Sequence, residues 1–159
     1  MTSVMQPLRD EHQDLLPHIN AMRTAGEAAA RGDQDALAGA KEALDFLDNH
    51  LHPHAAAEEA VLYPEVAKAM GSPEATKTMS RDHTEVATLR EELRALVTQG
   101  GNNIDVARVL FGLYTLVGVH FAKEEEVYVP VLERVLDADQ AKALYQRLEA
   151  AAGDARHSH

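Results

Sequence analysis

The sequence predicts an all-α fold, an up-down-up-down four-helix bundle with a short C-terminal fifth helix, and three observations carry that prediction. Ala, Leu, Glu and Val dominate, tryptophan is absent and aromatics make up 4% of 159 residues, which is a helical composition. Clear breaks at Arg31–Asp33, Gly71–Pro73 and Gly100–Asn103 separate long segments joined by short connections, which favours antiparallel neighbours. Within each segment apolar residues recur at intervals of three and four, the stripe of a helix that buries one face.

The first segment carries the seam Leu8, His12, Leu15, Ile19 and Met22, and stops at "RGD", where Asp33 can cap the next helix. The second runs through Ala40, Leu44, Leu47, Leu51, His54, Glu58 and Val61. In "GSP", Gly71 reads as a stop, Ser72 as an N-cap and Pro73 as the first helical residue. The third seam is Met79, His83 and Val86, then less regularly Leu89, Leu93 and Leu96. After "GGNN" the fourth is Val106, Leu110, Leu113, Val117, His120, Glu124, Val127 and Val131. "DADQ" reads as a capping box from Asp137 to Gln140, opening a fifth helix to about Ala152. That gives one domain over residues 1–152 and a flexible tail over 153–159. Pro17 and Pro53 fall inside helices and should kink or bulge them.

Every seam is apolar except at His12, His54, Glu58, His83, His120 and Glu124. An unpaired polar group in a core costs on the order of a few kcal/mol, and an unpaired charge more. Six of them would threaten a total stability of roughly 5–15 kcal/mol unless something compensates them. A bound cation does so directly, with carboxylates neutralising its charge and neutral imidazoles supplying lone pairs. Histidine and carboxylate without thiolate favour iron, manganese or zinc, and two carboxylates that can each bridge favour two metals. The halves also repeat: His54-x3-Glu58-Glu59-x4-Pro64 matches His120-x3-Glu124-Glu125-x4-Pro130, each preceded by a helix with one seam histidine.

A formal charge of −11 argues against nucleic acid or an anionic membrane as partner, since phosphate contacts need clustered Lys and Arg. With no cysteine, neither disulfides nor thiolate metal sites are available. No run of about 18 consecutive apolar residues reads as a membrane span, and the N-terminus lacks the pattern of a secretory signal, so a cytoplasmic protein is expected.

One His on the first helix, His-x3-Glu followed by "LYP" on the second, one His on the third and His-x3-Glu on the fourth resemble the hemerythrin-like, HHE cation-binding family over about residues 5–135. The resemblance implies a four-helix bundle around an oxo- or hydroxo-bridged di-iron centre. His12 and His54 would then bind one iron and His83 and His120 the other, with Glu58 and Glu124 bridging. Respiratory members of the family carry His-x3-His on the third helix and His-x4-Asp on the fourth. Here Ala87 and the pair His120 and Glu124 stand instead, so one iron loses a protein ligand. His50, His18, Tyr63, Tyr114 and Tyr128 are the candidates to fill the gap; Glu59 and Glu125 read as solvated, and His52, His157 and His159 as surface residues. Open metal positions suit chemistry on an oxidant better than reversible oxygen carriage. The expected partner is peroxide or a small diatomic ligand, and hydrogen peroxide disproportionation is the leading activity. Oxygen or iron sensing and nitric oxide binding or reduction are the alternatives, in a monomer or weak dimer.

Overall fold

A computed structural model describes residues 2–158, and five helices with no strand account for nearly all of them: α1 (Gln6–Arg31), α2 (36–70), α3 (Lys77–Gln99), α4 (Asn103–Val135) and α5 (Ala138–His157). Around the bundle α1 packs on α2 and α4, and α3 packs on the same two; α5, the shortest, lies across the middle of α2. By length and composition α4 could cross a membrane; Val106, Val109, Leu110, Leu113, Val117 and Phe121 line the bundle core, while Ile104, Val119, Val127 and Val135 are exposed.

Gly32 and Gly71 end α1 and α2 with φ of 73° and 69°, the left-handed stop that glycine adopts without strain. Asp137 and Gln140 form the reciprocal capping box. Two predicted starts are corrected. Asp33 pairs with Arg31, and Asp35 occupies the cap position before α2. Ser72 and Pro73 do not open α3: the Ser72 hydroxyl accepts from the Glu74 N–H, and the Ala75 carbonyl accepts from Tyr128, so the chain turns until Lys77. The predicted end of the fifth helix is also corrected: α5 continues past Ala152 through Gly153 to His157, with Ala151 and Ala152 packed against the core; His159 lies outside the described residues.

α2 and α4 are interrupted by π-helical turns at Leu47–Leu51, Glu58–Leu62 and Glu124–Tyr128. Each ends two residues before a proline: Pro53, Pro64 or Pro130. A proline cannot donate to the carbonyl four residues back, and its ring presses on that turn. The residue before each proline instead donates five back: His52 to Leu47, Tyr63 to Glu58 and Val129 to Glu124. The extra residue per turn shifts the register beyond each glutamate. Leu62, Tyr128 and Leu132 are buried where the heptad reading placed Val61, Val127 and Val131; Val127 is 45% exposed. Pro17 lies inside α1 without such a turn.

The apolar core falls into two compartments. One gathers the C-terminal part of α1, the N-terminal part of α2 and α4, and Leu93 of α3. The other gathers Met5 and Leu8, the C-terminal ends of α2 and α4, Met79 and the apolar face of α5. Between them lies a polar layer.

Candidate metal centre

That layer consists of His12, His54, Glu58, His120 and Glu124, all buried, and His83, which keeps a side-chain exposure of 13%. All six seam residues therefore meet. Two groups form, His12, His54, Glu58 and Glu124, and Glu58, His83, His120 and Glu124; in each, the potential ligand atoms lie within 4.8 Å of one another. The two glutamates belong to both groups, and each hairpin contributes two histidines and one glutamate. The π turns begin at those glutamates, so the His-x3-Glu pairs sit on regular helix while the turn beyond them widens.

The histidines are aimed by a ring of carboxylates. The Nδ1 atoms of His12, His54, His83 and His120 lie 2.6, 2.9, 2.8 and 3.0 Å from Glu125, Glu11, Glu59 and Asp82 respectively. Each acid comes from the helix before its histidine around the bundle, with α4 serving α1 to close the ring. A carboxylate only accepts, so Nδ1 carries the proton and Nε2 is turned inward. Glu59 is exposed, as expected, and yet also partners His83, whereas Glu125 is corrected from a solvated residue to the half-buried partner of His12. Glu11 and Asp82 were missed, although each directly precedes a seam histidine or its neighbour in the repeat: Glu11 stands before His12, and Asp82 before His83. The ring is itself braced, by Arg9 on Glu125, Lys123 on Asp82 and Ser80 on Glu59.

The inward atoms fit a cation. His12 Nε2, His54 Nε2, both Glu58 oxygens and Glu124 Oε2 are buried without a hydrogen-bond partner. His54 Nε2 comes 2.7 Å from Glu58 Oε1, but without hydrogen-bond alignment. Without a cation, protons must fill that role. Burial alone would lower the pKa of His12, His54 and His120, but the surrounding carboxylates, Glu58 above all for His54 and Glu124 for the other two, raise them to about 11, 10 and 10. Burial pushes Glu58 up, and the imidazoles of His54, His12 and His120 more than reverse it, leaving it well below the usual carboxylate range.

Of the candidates for the missing ligand, Tyr63 alone reaches the layer. Its hydroxyl donates to Glu124 Oε1 at 2.7 Å and lies 3.2 Å from His120 Nε2 and 3.4 Å from His83 Nε2. Burial, then Glu58 and Glu124, raise its pKa and keep it protonated. In the repeat Tyr63 corresponds to Val129, so only the His83–His120 half receives a hydroxyl. Tyr128 turns away to the Ala75 carbonyl, and Tyr114 packs on the first apolar compartment. His18 and His50 stack with Phe46 and each other rather than joining the layer. On the side of the layer away from Tyr63, a pocket of about 40 Å³ opens between α2, α3 and α4, walled mainly by apolar side chains such as Val86, Ala87, Val117 and Phe121, with His52 and Arg90 also on its lining, and floored by His83, His120 and Glu58.

A helical bundle whose middle layer is imidazole and carboxylate is, as a class, built to bind cations. The Hemerythrin HHE cation binding domain family model matches residues 4–132, with a second, overlapping match over 76–157, and the chain belongs to this family. No curated protein and no solved structure matches the chain significantly.

The carboxylate ring leads to a direct expectation. Glu125→Gln leaves His12 in place but exchanges the charged acceptor of its Nδ1 proton for a neutral amide, half of which can only donate, so the affinity of the His12 half should fall about 10–100-fold. Cobalt(II) titration followed by visible absorption should show one weakened and one unchanged binding step; two unchanged steps would remove the ring from the account.

Proposed function

We propose that the layer holds two irons, His12 and His54 on one and His83 and His120 on the other, with Glu58 and Glu124 shared, and that the protein disproportionates hydrogen peroxide. Four imidazoles and two carboxylates without sulfur suit iron, manganese and zinc; redox chemistry on an oxidant selects among these against zinc. A bound pair of irons would supply the two-electron oxidation and reduction that the reaction needs. One peroxide is reduced to two waters by the two electrons and two protons that a second, oxidised to dioxygen, gives up.

The observation that carries this reading is the small pocket at Ala87. It stands where respiratory relatives carry a histidine, it meets the His83–His120 half, and its apolar walls admit a small uncharged molecule. Ala87 itself is exposed, so the pocket has a way out to solvent. On the opposite side Tyr63 supports two roles: a further oxygen ligand, or a hydrogen-bond donor to what binds there. Because the pocket volume also suits a diatomic molecule, oxygen or nitric oxide binding without turnover is the second reading.

Filling the pocket separates them. Ala87→Leu should lower kcat/KM for oxygen evolution from peroxide at least tenfold, with iron content unchanged, and Tyr63→Phe should remove any visible tyrosinate band. Iron-loaded protein that evolves no oxygen but binds nitric oxide would favour the second reading. Undiminished turnover in Ala87→Leu would contradict the assigned entry.

A further inference from the structure

The polar layer is approached from a second side. A cleft of about 550 Å³ lies between the N-terminal half of α1, the middle of α2 and α5. His54 and Glu58 form part of its wall, and both are buried with Nε2 and both carboxylate oxygens unpartnered. Asp10, Glu11 and Asp14 of α1 and Glu149 of α5 line it further out, against one basic residue among the described ones, Arg156. Asp10 and Asp14 stand one helical turn apart and share a face of α1. Glu11 lies between them in sequence and holds His54 Nδ1 at 2.9 Å.

We propose that this cleft is the loading route for a divalent cation, distinct from the apolar pocket by which small uncharged molecules enter. The inference rests on reading the layer as a metal centre. A hydrated divalent cation needs oxygen atoms to replace its water as it moves inward. The pocket at Ala87 offers mostly apolar wall and too little room for a hydrated ion. The cleft is instead lined by four carboxylates, Asp10, Glu11, Asp14 and Glu149, together with Glu58 and His54, whose buried carboxylate oxygens and Nε2 lack a hydrogen-bond partner. A cleft lined by one sign of charge also raises the local concentration of the opposite ion and its rate of entry. On this account α5 has a function of its own: it supplies Glu149 and converts an open face of α1 and α2 into a channel.

The test is the rate at which the metal-free full chain takes up cobalt(II), read by stopped-flow absorption under anaerobic conditions, with circular dichroism verifying that the helices persist. Asp10→Asn, Asp14→Asn and Glu149→Gln together should slow uptake about tenfold and flatten its dependence on ionic strength. The final cobalt content should stay unchanged. Arg156→Glu should accelerate uptake. Glu42→Gln, Asp45→Asn and Asp139→Asn remove the same number of charges elsewhere on the surface and should leave the rate nearly intact. Equal slowing in both triple variants, or none in the first, overturns the route. If helicity is lost on stripping, release of cobalt from the loaded chain to a chelator is compared across the same variants, and an unchanged rate in the cleft variant overturns it equally. A wild-type chain that never binds two cobalt ions fails at the endpoint rather than in the rate, which identifies the metal-centre reading as the error.

Discussion

Glu58→Gln is expected to weaken both half-sites at once. Glu58 belongs to both groups of potential ligands and is fully buried, and its two oxygens lack a hydrogen-bond partner. The amide keeps the volume but loses the charge and one acceptor oxygen. Metal affinity should therefore drop further than the roughly 10–100-fold expected when an outer carboxylate is lost. His54→Ala, by contrast, should affect mainly the His12–His54 half. In the metal-free chain Glu58→Gln also removes the main counter-charge of the buried His54 imidazolium, leaving it Glu11 alone, a loss of up to about 3 kcal/mol. Metal per chain after dialysis and the thermal midpoint without metal measure the two effects separately. Selective loss from one half would show that Glu58 is not shared.

Removing the metals is expected to lower the midpoint of thermal unfolding by about 10 °C, since a ligand held at about a thousand times its Kd contributes about 4 kcal/mol to a domain of this size. The loss should depend on pH. In the metal-free chain His12, His54 and His120 titrate at about 11, 10 and 10 rather than at the usual 6.5. A raised pKa means that their contribution is fully present below about pH 6.5 and disappears as the pH climbs through about 10 to 11. Glu58 has the opposite sign: its depressed pKa contributes stability above its usual 4.5, lost as the pH falls further. The metal-free chain should consequently soften between neutral and strongly alkaline pH. The loaded chain, with no Nε2 proton to lose, should not soften by this route. Metal uptake at neutral pH should release about three protons, from these three imidazoles. A pH indicator in weak buffer measures that number, and uptake without proton release would contradict the protonated state.

The polar layer was legible in sequence because its six residues interrupt seams that are otherwise apolar, and each His-x3-Glu pair keeps ordinary helical spacing. Legibility ended at Glu58 and Glu124. Beyond them a π turn inserts one residue, so Leu62 and Tyr128 replace Val61 and Val127 in the core. The signal for it was present, a proline six residues after each glutamate, but a heptad reading assumes a constant pitch. The same shift brings Tyr63 to the layer and sends Tyr128 to the Ala75 carbonyl. The carboxylate ring was hidden for another reason. Its members lie one position off the seam, where acids are usually solvated, and each serves a histidine on a different helix. Repetition was the usable sign: an acid stands beside a seam histidine or glutamate on every one of the four bundle helices, at Glu11, Glu59, Asp82 and Glu125. The start of α3 was set by a tertiary hydrogen bond that local capping rules do not contain.

The most direct test of the account is the metal content of the purified protein taken together with its absorption spectrum. About two irons per chain are expected, with near-ultraviolet bands from oxygen bridging between them. A chain that takes up no iron even after anaerobic loading would contradict the account, and would leave five buried, unpartnered imidazole and carboxylate atoms without a physical reason.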